Sequence, residues 1–187
     1  FSCALFSPTG DLVANAPHVP VHLGSMSESI KTIIRENFDT MSPGDAFLIN
    51  APYNGGTHLP DITLIKPVYD ENSEKVIFYA ATRGHHADIG GTVPGSAPAN
   101  SSHVKEEGIL IDNFTLVSKG VFLEKEIYDL LSSGEFPARN VQQNIADLKA
   151  QVAAAEKGSQ ELLKVIKNYG LGVVHGYMKH VQDRSEE

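Results

Sequence analysis

One cysteine, Cys3, in 187 residues excludes an internal disulfide, and thiol use this sparse suits a reducing cytoplasm. Cys3 lies in the apolar run FSCALF, where a thiol is expected to be buried and inert rather than nucleophilic. No apolar stretch is long enough to span a membrane, and hydrophobic residues at 41% with charged residues at 20% are ordinary globular usage. Basic residues are few, 15 against 23 acidic ones, and a net charge of −8 argues against nucleic acid or an anionic membrane as the main partner. The chain also lacks a GxxxxGK[ST] loop, a strand-bound GxGxxG and a GxSxG elbow, and PGSAP around Ser96 does not have the elbow's spacing. A nucleotide site of those kinds and serine-hydrolase chemistry are therefore unsupported.

What is present divides into two textures. Up to about Val117, short strand-like runs (SCALFS, DLVAN, DAFLIN, DITLIKPV, KVIFYAATR) are separated by Pro, Gly, Asn and Asp. One helix is predicted among them, from Ser27 to Asp39, with Ser25 or Ser27 as N-cap and Ile30, Ile33, Ile34 and Phe38 as its apolar stripe. Ile62–Val68 and Val76–Thr82 are predicted to pair as an antiparallel hairpin, and residues 90–108, poor in apolar side chains, as a long loop. Beyond residue 120 the spacing turns helical. LEKEIYDLLSSG ends at Gly134, a long segment from Asn140 to Gly170 carries two stripes broken near Gly158, and Leu171–Val181 forms a further arm. The expected fold class is α+β, a mostly antiparallel sheet with one packed helix in residues 1–120, followed by a helical region at 121–187. The two are expected to form one domain of a longer subunit, and the opening directly in strand-like sequence at Phe1 leads us to expect residues upstream of it.

Two glycine-punctuated loops carry the chemistry. In PYNGGTHLPD, Pro60 argues against helix and sets His58 and Asp61 in a turn just before a strand. In RGHHADIGG, the hairpin returns His85, His86 and Asp88 to the same end. An imidazole and a carboxylate converging there suit zinc, manganese or iron, with His85 as the preferred third ligand and His86 and Asp88 as competitors. For any one of these groups, a hydrogen-bonded network around glycine turns is the blander alternative. His18 and His22 are four apart, but Pro17 and Pro20 argue against a helical metal pair, so they read as extended backbone, with His22 packing beside the first strands or lining the pocket. His103, His175 and His180 read as ordinary surface or helix residues, and Asn54, Gly55 and Gly56 as a place where backbone can approach a ligand closely.

Seven blocks in order (FSCALF, APHVPVHLGSM, GGTHLPDITLI, RGHHADIGG, EEGILI, PARNVQQNIADLKAQVAA and HVQD) resemble the hydantoinase B/oxoprolinase family along the whole chain. The resemblance implies the metal-bearing part of an ATP-dependent hydrolase of cyclic amides, of the hydantoin or 5-oxoproline type. It places the metal ligands on His58, Asp61 and one histidine of RGHHAD, most directly His85, and leaves His86 or Asp88 as a base. It implies that ATP binds in a hydantoinase A-type partner subunit, that the assembly is a hetero-oligomer, and that a further acidic ligand lies upstream of FSCALF. A ketone carboxylase of the acetone or acetophenone type is the alternative within the family, and a non-catalytic module that docks through its C-terminal helices is the alternative of another class.

Overall fold

Two strands of almost unbroken apolar and small residues, β4 (Asp61–Tyr69) and β5 (Val76–His85), form the centre of the sheet. They are seen in a computed structural model that describes residues 1–16, 20–72 and 74–186. Strands this continuous are covered on both sides, since one solvated face would have demanded alternation. The other strands are β1 (Ser2–Phe6), β2 (Leu12–Asn15), β3 (Ala46–Ile49), β6 (Asp112–Ser118) and β7 (Val121–Phe122). All pair antiparallel in the order β2-β1-β5-β4-β3-β6-β7.

The helix α1 (Pro20–Asn37) covers one face, setting Met26, Ile30 and Ile33 against Phe6, Phe47, Ile49, Ile65 and Tyr79. The opposite face carries α2 (Glu124–Leu131), α3 (Val141–Tyr169) and α4 (Leu171–Glu186). There Ile127, Ile145, Leu148 and Leu162 meet Leu48, Leu64, Phe78 and Leu116. The fold is α+β, with the N-terminal sheet, its one packed helix and the C-terminal helices in the predicted order.

Several details differ from the sequence prediction. Helix α1 is described from Pro20, seven residues before the predicted start at Ser27. Ser25 and Ser27 are thus inside the helix, and Phe38 falls beyond its end, 78% exposed. His22 sits on this helix instead of on extended backbone, while His18 lies outside the described residues. Gly158 does not break α3. A mid-helix glycine costs only about 1 kcal/mol relative to alanine, and buried Ala155, Ser159 and Leu162 anchor the helix on both sides of it. Strands β6 and β7 were not singled out from the sequence. The long loop holds one 3-10 turn, Val104–Glu106, which His103 and Glu106 close with a reciprocal capping box. Among the described residues no helix is long and apolar enough to cross a membrane.

The glycines of the first loop are shaped by the protein's own backbone. Gly55 has φ 88°, and a Cβ there would lie 2.2 Å from the Ser29 amide nitrogen of α1; one on Gly56 would lie 2.1 Å from the Asn50 carbonyl oxygen. The close approach predicted for a ligand is thus filled by a helix and a strand end. Gly55→Ala is expected to lower the urea midpoint by more than about 1 kcal/mol equivalent. Gly120→Ala, also at positive φ but facing open space, should cost less; equal losses would show that contact with α1 is not what constrains Gly55.

Candidate metal centre

The register of the central hairpin pairs Asp61, the first residue of β4, directly with His85, the last of β5. His58 joins them from the preceding turn, which the Asp61 amide closes by donating to the His58 carbonyl at 3.0 Å. One ligand atom from each of the three side chains lies within 4.8 Å of the others. His58 Nδ1 is 2.8 Å from Asp61 Oδ2, His85 Nδ1 is 3.2 Å from Oδ1, and the two rings stack with centroids 5.1 Å apart. Asp61 is buried at the floor, whereas the His58 and His85 side chains are about half exposed at the rim.

The floor is supported by the glycine loop and by α1. Thr57 Oγ1 donates to Asp61 Oδ2 at 2.5 Å, and His22 Nε2 approaches the same oxygen at 3.2 Å while its Nδ1 meets Ser2 Oγ at 2.8 Å. Burial works to raise the Asp61 pKa, yet the Thr57 hydrogen bond, electrostatic attraction from the neighbouring His58 and His22 rings and the His85 contact together hold it below the usual carboxylate range. For His22, burial outweighs the pull of Asp61 and lowers the pKa.

Beside this cluster Arg83 is fully buried. Its Nε donates to Thr63 Oγ1 at 2.7 Å, Nη1 to Ser25 Oγ at 2.5 Å, and Nη2 to the Gly55 carbonyl at 2.8 Å and Ser29 Oγ at 3.1 Å. Burial pushes its pKa down to about 10 with Asp61 pulling the other way, so the guanidinium stays charged near neutral pH. Arg83 thereby ties the glycine loop that carries His58 to α1.

A family model for hydantoinase B/oxoprolinase matches residues 1–187. The chain belongs to the hydantoinase B/oxoprolinase family. It is 48% identical over 198 residues to 5-oxoprolinase 1 of Arabidopsis thaliana, covering 100% of this chain and 15% of that protein. The ATP-dependent caprolactamase from Pseudomonas jessenii superposes with TM-score 0.87 at 28% identity, over 98% of this chain and 31% of that one. Acetone carboxylase, with TM-score 0.81 at 20% identity over 95% of this chain and 22% of that one, shares the fold. The chain thus spans about one-seventh of the length of the 5-oxoprolinases it matches.

Of the residues singled out from the sequence, this family member brings His58, Asp61 and His85 together and does not bring His86 and Asp88 to them. Neighbouring strand residues point to opposite faces, and His86 is buried on the α3 side. Asn144 Nδ2 donates to both the Asp88 carbonyl, at 2.9 Å, and His86 Nδ1, at 3.1 Å. The His86 Nε2–H then donates to Gln151 Oε1 at 3.1 Å, and Gln151 Nε2 in turn donates to the Ile62 and Thr82 carbonyls. Burial chiefly lowers the His86 pKa, so the ring is neutral with both nitrogens engaged. Asp88 accepts from the Gly90, Gly95 and Arg139 amides and from Arg139 Nη1 at 2.7 Å, clipping the long loop to the segment before α3.

Sequence reasoning missed Thr57, Arg83, Asn144 and Gln151 as site supports, and it treated His22 as packing. Thr57 and Arg83 stood within the quoted motifs GGTHLPD and RGHHAD, beside their histidines. Asn144 and Gln151, seven apart in NIADLKAQ, occupy one helix face among apolar neighbours, the one local hint that a polar pair is buried.

Burial works to raise the Asp88 pKa, but its backbone and Arg139 hydrogen bonds prevail and lower it. A carboxyl depressed on folding contributes stability above its unfolded pKa, about 3.9, and loses it as pH falls through the folded value. Asp88→Asn is therefore expected to flatten the loss of stability below about pH 4, measured by urea unfolding across pH 2–7. An unchanged pH slope would show that the clip does not depend on the charge.

Proposed function

We propose that His58, Asp61 and His85 hold a divalent ion, zinc, manganese or iron, in an enzyme that opens a cyclic amide at the expense of ATP. The observation that carries this reading is the convergence of two half-exposed imidazoles over one buried carboxylate, a mixed N/O donor set that suits these ions. Such an ion supplies Lewis-acid activation of a carbonyl or of water. The 5-oxoprolinase and caprolactamase relatives act, by their names, on 5-oxoproline and caprolactam, both of them cyclic amides. An unstrained lactam is a poor electrophile, which is the reason for ATP, and in this reading the nucleotide is bound by a hydantoinase A-type partner subunit or domain.

Within this reading each residue has a defined task. Asp61 keeps a negative charge at the floor of the site, and His58 and His85 present ring nitrogens at its mouth, open to a small cyclic amide. Thr57 and Arg83 hold the loop that carries His58. His86 and Asp88 act as supports rather than as bases: His86 fixes the end of β5 against α3, and Asp88 fixes the loop that follows. Carboxylation of a ketone is the rival on the same scaffold.

A second, compatible reading concerns assembly. Val165, Tyr169, Val173, Tyr177 and Val181 are exposed along the end of α3 and α4, beside a groove of about 390 Å³ lined also by Val174 and Met178. An apolar surface of this kind favours contact with another protein surface.

The test is the metal content of the intact enzyme together with its ATP-dependent turnover of 5-oxoproline. His58→Ala is expected to abolish stoichiometric metal and to lower turnover by at least about 100-fold, beyond the 10- to 100-fold typical of losing a supporting residue. Full turnover in the variant would remove His58 from the site, and a requirement for bicarbonate with a ketone would favour the carboxylase.

A further inference from the structure

We propose that His22 is a positioning residue, the donor from the folded core that sets the orientation of the Asp61 carboxylate; this rests on the metal reading for its effect on ion binding. Four groups contact that carboxylate. Oδ2 meets Thr57 Oγ1 at 2.5 Å, His58 Nδ1 at 2.8 Å and His22 Nε2 at 3.2 Å, and Oδ1 meets His85 Nδ1 at 3.2 Å. They are not equivalent. His58 and His85 are half exposed at the rim, and Thr57 rides on the same turn as His58. His22 alone comes from a different layer, is 4% exposed on α1, and has its other nitrogen engaged by Ser2 Oγ at 2.8 Å.

Donor logic assigns the direction of this chain. An ionised carboxylate only accepts, so the His22 Nε2 must carry the hydrogen, and the Ser2 hydroxyl can donate to Nδ1. The chain Ser2–His22–Asp61 ties β1 and α1 to the first residue of β4. A ring nitrogen that ligates a metal is no longer a donor to a carboxylate. When His58 and His85 serve as ligands through the nitrogens that now face Asp61, only Thr57 and His22 remain to orient it, and of these only His22 is independent of the glycine loop.

The experiment uses the full-length protein with His22→Leu and His22→Gln, the glutamine amide being able to restore an N–H near the Nε2 position. Metal-free crystal structures and Co²⁺ affinity are measured for all three forms, with thermal melting to confirm folding. In the leucine variant the Asp61 carboxylate is expected to leave its place between His58 and His85, and Co²⁺ affinity to fall 10- to 100-fold, roughly the loss typical of a supporting partner. Both return toward the original in the glutamine variant. An unmoved Asp61, or Co²⁺ bound equally tightly by all three, overturns the proposal. Should the original protein take up no Co²⁺ while Asp61 moves only in the leucine variant, the metal reading falls and the positioning role stands. Should the leucine variant not fold, Ser2→Ala frees the far ring nitrogen without opening a cavity at His22. A smaller drop in Co²⁺ affinity is then expected, and no drop overturns the proposal.

Discussion

The antiparallel register between β4 and β5 is the constraint from which the site follows. It sets Asp61 opposite His85, and the turn closed by the Asp61 amide brings His58 over the same carboxylate. A slip of one residue would send Asp61 to the α3 face and His85 away from it, because side chains alternate along a strand. The register is held by apolar residues committed to different faces. Ile65, Tyr79 and Ala81 face α1, while Ile62, Leu64, Phe78 and Ala80 face the C-terminal helices. The hydrophobic layers therefore position the chemistry without taking part in it.

At this end of the hairpin each face of the sheet carries its own buried polar network. On the α1 side, Arg83 and Asp61 bring opposite charges out of water, and the guanidinium is met by three hydroxyls and a carbonyl rather than by a direct carboxylate partner. On the α3 side, His86, Asn144 and Gln151 form a neutral network that joins the strand ends to the long helix. Buried polar groups are costly unless satisfied. Among the described residues, Asn144 Oδ1 is the one buried side-chain atom of its kind without a partner. Dense networks of this kind hold a few groups rigidly, which a metal or substrate site requires.

Much of the fold was legible. The hairpin, the loop after it and the change to helix past residue 120 follow from strand-like runs, turn residues and helical spacing. The errors lie where tertiary contact overrides local signal. Gly158 is carried through by buried neighbours on α3, and α1 extends back to Pro20 over a segment whose prolines argued against helix. Strands β6 and β7 complete an edge that local pattern did not mark, since only two of the seven residues of β6 are buried.

The sequence by itself determined which candidate donor residues are present and their order, because His58, Asp61 and His85 lie in the two quoted loops, and strand patterning alone brings those loops to one end of a hairpin. Only the tertiary structure decided which of two adjacent histidines faces Asp61 and what stands behind that carboxylate. His86 is drawn to the other face by Asn144 and Gln151, and His22 reaches Asp61 from a helix 39 residues earlier in the chain. Spacing along a chain sets which residues can share a face of one element; contact between layers depends on how helices dock on the sheet, and no local pattern records it.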